Sequence, residues 1–128
     1  MKQTEVFYRN YIDCLNTGNI EQLSDFIHDE LTYNGEKTTL KDYKKDRLKE
    51  RDAIPDLFYD IGLLVTNEDT IACRLNFNCT PIKEFMGIIP NGKKAVFSEN
   101  VFYKLAQGKI SAVLSLVDKD AIRAQIDS

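Results

Sequence analysis

The chain has 128 residues, 43% of them hydrophobic, and this length suits one domain with a single core. Its 17 basic and 20 acidic residues give a net charge of −3 and are mixed along the chain, unlike the basic surface of a nucleic-acid-binding protein. No stretch approaches the roughly 18 apolar residues of a membrane span, and the start lacks the apolar core of a signal peptide. We therefore expect one cytoplasmic domain that binds neither nucleic acid nor membrane.

Two amphipathic helices are predicted at the start of the chain. Apolar and aromatic residues recur at helical spacing from Thr4 to Asn16, and a shorter pattern runs from an N-cap at Asn19 to Asp29. The segment ELTYNGE then predicts a short strand that turns at Asn34 and Gly35.

A third helix is predicted in the charged segment TTLKDYKKDRLKERDAIPD, which begins with a Thr cap and ends before Pro55. Its mixed charges at helical spacing indicate a solvated helix face without a binding role. After Pro55 the apolar period changes to two and predicts four longer strands, starting near Leu57 and ending at Asp118, before a terminal helix in KDAIRAQI. Short turns require these strands to be antiparallel, so we predict an α+β fold with helices on one face of a curved antiparallel sheet and a pocket between them.

One carboxylate stands on an apolar face of the last predicted strand. Every second residue is aliphatic until Asp118 takes the next place: Ile110, Ala112, Leu114 and Leu116. A carboxylate held against such a wall would be desolvated, and desolvation would raise its pKa toward the range useful for proton transfer by a general acid/base. Alternatively, Asp118 is the N-cap of the terminal helix, a position for which Asp120 competes.

Metal and disulfide chemistry are not indicated. The three cysteines, Cys14, Cys73 and Cys79, form no C-x-x-C pair and are odd in number, which favours buried reduced thiols. His28 is the only histidine and follows an amphipathic helix, so no transition-metal site is predicted. We therefore expect no transition-metal cofactor.

Two segments carry motifs of a known family. TPIKEFMGIIPNGK is similar to T-H-x-G-x-F-M-G-x-x-P-T-G-K, and GKISAVLSLVDKDAIRAQI is similar to G-K-I-x-E-x-W-x-x-x-D-x-x-x-L-x-x-Q-L. With this order and spacing the chain resembles the SnoaL-like polyketide cyclases of the nuclear transport factor two-like fold, from Phe7 to Ile126.

The resemblance implies a fold, an assembly and an activity. The fold is a cone-shaped α+β barrel around an apolar pocket, and the assembly is a homodimer. The activity is a cofactor-free aldol-type cyclisation, with ester cyclase and isomerase as close variants, on a small apolar molecule that carries a carbonyl group. The strand-end aspartate of the family, which moves the proton, corresponds to Asp118.

The chain departs from the family motifs at three positions. Pro81 replaces a histidine, and Ala112 and Leu114 replace a glutamate and a tryptophan. These departures favour an alternative, a non-catalytic protein of the same fold that binds a small molecule. A third interpretation, an interaction module with a filled core, predicts no cavity beside Asp118.

Candidate ligand contacts come from both lines of reasoning. Tyr59, Asn78 and Asn100 lie on predicted strands and offer donors to an enolate oxygen, while Asn34 lies where relatives of the family place a pocket amide. The apolar candidates are Phe85, Met86, Phe102, Leu114 and Leu116.

Overall fold

A computed structural model describes residues 2–126. Within this range the order of elements is α1 (Gln3–Thr17), a 3₁₀ helix (Ile20–Asp25), β1 (Ile27–Tyr33), β2 (Glu36–Thr39), α2 (Leu40–Ala53), β3 (Asp60–Thr66), β4 (Thr70–Cys79), β5 (Ala95–Ala106), β6 (Lys109–Val117) and α3 (Lys119–Ile126). This confirms the predicted α+β class. No helix in the described part of the chain is long and apolar enough to span a bilayer.

The strands form one six-stranded sheet in the order β2-β1-β6-β5-β4-β3. The four strands that follow α2 pair antiparallel with their chain neighbours, as their short turns require. β1, however, runs parallel to β6, with Ile27 opposite Ile110. The antiparallel prediction, which rested on short turns, therefore holds for the four long strands. β1 reaches β6 through no hairpin, so its direction is free of the turn constraint.

The second predicted helix is much shorter than the sequence pattern suggested. It is a 3₁₀ helix that ends at Asp25, and Ile27 already belongs to β1. The backbone N–H of Ile110 donates to the carbonyl of Phe26 at 2.8 Å, which ties this point of the chain to β6. Pairing with a distant strand thus overrides the local helical pattern.

Tyrosines from helices and sheet form the centre of the core. Tyr8 and Tyr11 of α1 lie 5.1 and 5.9 Å, between ring centroids, from Tyr103 of β5. Tyr11 and Tyr43 of α2 share a hydroxyl hydrogen bond of 2.5 Å. These contacts hold α1 and α2 on the inner face of the sheet.

The three cysteines are buried and form no disulfide, as predicted.

β6 changes the facing of its side chains at a β-bulge. Lys104 is paired with Ala112 and Leu105 with Ile110, so Ser111 is an extra residue in the ladder. Beyond the bulge Val113 is buried, whereas Leu114 and Leu116 are exposed. The predicted apolar face, taken as every second residue from Ile110, is therefore wrong after Ser111, and Asp118 follows the outward-facing set.

Candidate active site

A cavity of about 460 Å³ lies between α2 and the inner face of the sheet. One wall is apolar and comes from Ile54, Leu57, Phe77, Met86 and Phe97, with the rings of Phe77 and Phe97 stacked at 5.0 Å between centroids. The remaining lining includes Arg47, Glu50, Tyr59, Glu99 and Ser115. Charged groups therefore face an apolar wall, an arrangement typical of a small-molecule site.

Glu99 is the acid/base candidate that the structure places in the cavity. It lies on β5 with its side chain on the same face as the buried Phe97 and Val101. Burial raises the pKa of this carboxyl, and the negative charge of Glu50 adds to the effect. A hydrogen bond from the Ser115 hydroxyl to Glu99 Oε2, and the charge of Arg47, oppose the rise without cancelling it. Among residues 2–126 no cation lies within 4.0 Å of this carboxylate.

Sequence reasoning missed Glu99, although the signal was present. The segment from Phe97 to Tyr103 alternates, and Glu99 is the one charged residue on its apolar face. Asp118 satisfies the same alternation in β6, but the bulge there reverses which side of the sheet it faces. β5 has no bulge between Phe97 and Tyr103, because the pairing with β4 is continuous there.

α2 supplies a cation and a second carboxylate to the cavity. Arg47 Nη2 lies 3.6 Å from Glu50 Oε2, and the guanidinium stacks over the ring of Tyr43 at 4.8 Å from its centroid. The hydroxyl of Tyr59 donates to Glu50 Oε1 at 2.5 Å. The prediction that the charges of this helix are all solvated is thus wrong for Arg47 and Glu50, which lie on its inner face.

Burial and neighbouring charges control the ionisation of these groups. Burial alone would lower the pKa of Arg47, but Glu50 and the nearby tyrosine hydroxyls outweigh it, and the pKa lies well above its ordinary value. Burial and the adjacent Glu50 carboxylate raise the pKa of Tyr59 well above the ordinary value. Arg47 is therefore a permanent cation, and Tyr59 a neutral donor.

Asn34 and Tyr59 are both held by hydrogen bonds that fix their positions. Asn34 has a positive φ of 51° in the turn after β1, and its side-chain Oδ1 accepts from the backbone N–H of Ser115 at 2.7 Å. The Ser115 hydroxyl also donates a hydrogen bond to Glu99, so Ser115 positions both the Asn34 amide and the Glu99 carboxyl. The backbone of Tyr59 is held by Asn16, which accepts its N–H at 2.7 Å.

The predicted ligand contacts divide between several places. Asn34, Tyr59, Met86 and Leu116 line the cavity. Asn100, Phe102 and Leu114 lie in a groove on the outer face of the sheet, Asn78 is exposed on β4, and Phe85 is buried in the core. Asn34 and Leu116 also border that groove, whereas Tyr59 and Met86 line the inner cavity and not the groove.

Asp118 is an exposed N-cap. Its Oδ1 accepts the backbone N–H of Ala121 at 3.0 Å, and its own N–H donates to Ser98 at 3.0 Å. Val117 and Lys119 on either side line the cavity, but Asp118 does not. The expectation of a desolvated carboxylate here is wrong. The bulge turns this side chain outward, and the capping geometry that was the alternative is observed.

Removing this cap should cost stability. We expect Asp118→Ala to lower the free energy of unfolding by about 1 kcal/mol, because the Ala121 N–H loses its acceptor. Asp118→Asn should preserve stability, since Asn caps helices as well as Asp. Urea denaturation measures both effects. Asp120→Ala is the control, because the Asp120 side chain is exposed and its contact with Arg123, at 3.8 Å, is a surface ion pair. A cost for Asp118→Ala no larger than for the control would contradict the capping role.

Solved structures show the class of protein to which this fold belongs. A SnoaL-like polyketide cyclase from Agrobacterium tumefaciens is 36% identical, with 97% of this chain and 98% of that chain covered and a TM-score of 0.91. IdmH from Streptomyces antibioticus is 18% identical over 97% of this chain and 98% of its own, with a TM-score of 0.83. TsrD from Streptomyces laurentii is 15% identical over 98% and 96%, with a TM-score of 0.86, and these last two likenesses concern the fold alone. The architecture is that of the nuclear transport factor two-like fold.

The sequence comparison identifies a particular family within this fold. Residues 5–126 match the family described as SnoaL-like polyketide cyclase. Together with the 36% identical structure, this shows that the chain belongs to the SnoaL-like polyketide cyclase family, as the motifs predicted. A search of curated proteins found no match.

Proposed function

We propose that this protein performs cofactor-free acid/base chemistry on a small molecule with a carbonyl group, in an aldol-type cyclisation or an isomerisation. The observation that carries the proposal is Glu99, a carboxyl with a raised pKa in a cavity with one apolar wall. A carboxyl whose pKa moves toward neutrality can accept and return a proton near physiological pH. Membership of a cyclase family supports the same class of reaction.

The reaction begins and ends with a proton on Glu99. Its carboxylate removes a proton from the carbon next to a substrate carbonyl and leaves an enolate. In a cyclisation that carbon attacks a second carbonyl of the same molecule, a C–C bond forms, and the new alkoxide takes the proton back from Glu99. In an isomerisation the substrate is an unsaturated carbonyl compound, and the proton returns to the γ-carbon of the conjugated dienolate. Neither route consumes an oxidant, a reductant or a metal.

The enolate oxygen needs a hydrogen-bond donor, and Asn34 is our candidate. Its Oδ1 is occupied by the Ser115 N–H, which leaves the side-chain NH₂ as the donor group on a residue that lines the cavity. Tyr59 is the weaker candidate, because its hydroxyl proton is already donated to Glu50. A donor of this kind contributes about 10²- to 10³-fold to turnover.

Exchange of substrate protons for deuterium tests this activity without knowledge of the natural substrate. Bicyclic aryl ketones such as α-tetralone suit a cavity of about 460 Å³ and exchange their α-protons slowly in water. We expect the protein to accelerate this exchange in D₂O, measured by proton NMR. Binding of these ketones without faster exchange would contradict catalysis and support the alternative, a non-catalytic ligand-binding protein.

The resemblance assigns proton transfer to Asp118, and this role stays a prediction alongside that of Glu99. Asp118→Asn keeps the helix cap, so it separates chemistry from folding. We expect this variant to retain exchange activity, because Asp118 does not line the cavity. A loss of activity with unchanged stability would return the role of base to Asp118.

We also propose that two copies of the chain associate through the outer face of the sheet. The outer groove is lined largely by exposed apolar side chains: Leu63, Val65, Phe102, Leu114 and Leu116. The lining includes a single formal charge, Arg74. An apolar patch of this kind is complementary to itself, which a two-fold dimer requires.

A further inference from the structure

Arg47 has more hydrogen-bond donors than the described residues provide acceptors for it. A guanidinium carries five N–H groups. Arg47 makes one ion-pair contact with Glu50, at 3.6 Å, which is longer than a hydrogen bond. Its Nε–H is buried and has no acceptor within residues 2–126. The donors that this cation offers are therefore mostly unused by the fold.

Glu50 is a shared partner and does not neutralise Arg47 in the way a dedicated ion pair would. Its Oε1 accepts the Tyr59 hydroxyl at 2.5 Å, and its Oε2 lies 3.6 Å from Nη2 of the guanidinium. Two parallel bonds between Arg and a carboxylate are the strong form of this interaction, and that form is not made here. Arg47 nonetheless lines the cavity with a side chain only 16% exposed, where its charge is poorly screened by water.

The charges around the cavity limit what kind of anion it accepts. Its lining contains two cations, Arg47 and Lys119, and two carboxylates, Glu50 and Glu99. A doubly charged phosphate would meet both carboxylates with little surplus positive charge, whereas a single planar carboxylate matches the guanidinium fork. The stacked rings of Phe77 and Phe97 suit an apolar body attached to that group.

We propose that Arg47 is an anion-binding residue and that the ligand of this cavity carries one carboxylate group on an apolar body. The inference rests on the proposed function, because it takes the same cavity as the substrate site. It adds the acidic group by which the substrate is recognised, at a residue distinct from the base Glu99 and the donor Asn34.

Matched pairs of acids and amides test the inference in the wild-type protein. The probes are benzoate with benzamide and naphthoate with naphthamide, titrated by NMR or calorimetry. Within a pair that binds, the acid should bind at least about tenfold more tightly than the amide, since hydrogen bonds to charged groups have this strength. Equal affinities, or failure of every probe to bind, would overturn the inference.

Variants on α2 identify the residue responsible. Arg47→Met alone would leave Glu50 charged beside Glu99, so we combine it with Glu50→Gln. In this double variant the preference for the acid should disappear while the amide binds as before. Glu50→Gln alone should keep or strengthen the preference, because the competing carboxylate is gone. Lys49→Met, which removes an exposed cation from the same helix, should leave the preference intact. Persistence of the preference in the double variant would overturn the role of Arg47.

The titration involves no turnover, so its failure differs from failure of the proposed function. Glu99→Gln should keep or strengthen the preference for acids although it loses proton exchange. A protein that prefers acids but never accelerates exchange would retain the anion site and contradict the proposed function. A protein that accelerates exchange but binds acids and amides equally would retain the proposed function and contradict the anion site.

Discussion

Glu99→Gln is expected to lower the rate of α-proton exchange by about 10²- to 10⁴-fold, the contribution of a positioned general base. Gln keeps the shape of the side chain and an oxygen that can accept the Ser115 hydroxyl, so the cavity should be preserved. It lacks only the group that gains and loses a proton. The measurement is proton NMR of a bicyclic ketone in D₂O, with Asp118→Asn as the matched carboxylate-to-amide control. Exchange by Glu99→Gln at the wild-type rate would remove Glu99 from the mechanism.

The same substitution should stabilise the protein at neutral pH. Burial raises the pKa of Glu99 in the folded state, so folding favours its protonated form. This contribution to stability is complete below the pKa of the unfolded chain and is lost as the pH rises through the higher pKa of the folded state. Gln never ionises, and Glu99→Gln should therefore unfold at a higher temperature than the wild type at neutral pH, with the difference vanishing in acid. A lower unfolding temperature at neutral pH would contradict the desolvation of Glu99.

Leu114→Glu is expected to weaken the proposed dimer by about 100-fold or more. In a two-fold interface each substitution occurs twice, so two carboxylates would be desolvated without partners. The dissociation constant can be measured by sedimentation or light scattering over a series of protein concentrations. Because Leu114 is 53% exposed on the outer face, the inner cavity should be unaffected, and exchange activity per chain reports whether it is.

Leu48→Glu is the matched control for this experiment. Leu48 is also 53% exposed but lies on α2, away from the outer face of the sheet. We expect this variant to associate as the wild type does. A wild-type protein that is monomeric at high concentration, or a Leu114→Glu variant that associates normally, would contradict the proposed interface.

The family and the fold class could be predicted because they depend on local patterns. The motifs around Met86 and Gly108 identified the family, and the period-two stretches found the long strands. Errors arose where distant segments pair. The parallel pairing of β1 with β6 takes Ile27 out of the predicted second helix, and β2 pairs with β1 although no strand was predicted there. No local pattern in the chain reports which strands become neighbours.

The candidate site could not be predicted correctly for a similar reason, since the facing of a side chain depends on strand pairing. One extra residue, Ser111, reverses the facing of the rest of β6, so the sequence indicated Asp118 where the structure favours Glu99. Both residues satisfied the same alternation rule, and only the ladder to β5 distinguishes them. Arg47 and Glu50 were hidden for a different reason, since the many charges of α2 mask the few that face inward.

The sequence by itself determined that this chain has an α+β fold and belongs to the SnoaL-like polyketide cyclase family, because hydrophobic period and short motifs are properties of neighbouring residues. Tertiary structure alone decided which carboxylate is desolvated and which cation faces the cavity. Burial, and with it the pKa of Glu99 and the charge environment of Arg47, depends on what packs against a side chain from distant parts of the chain.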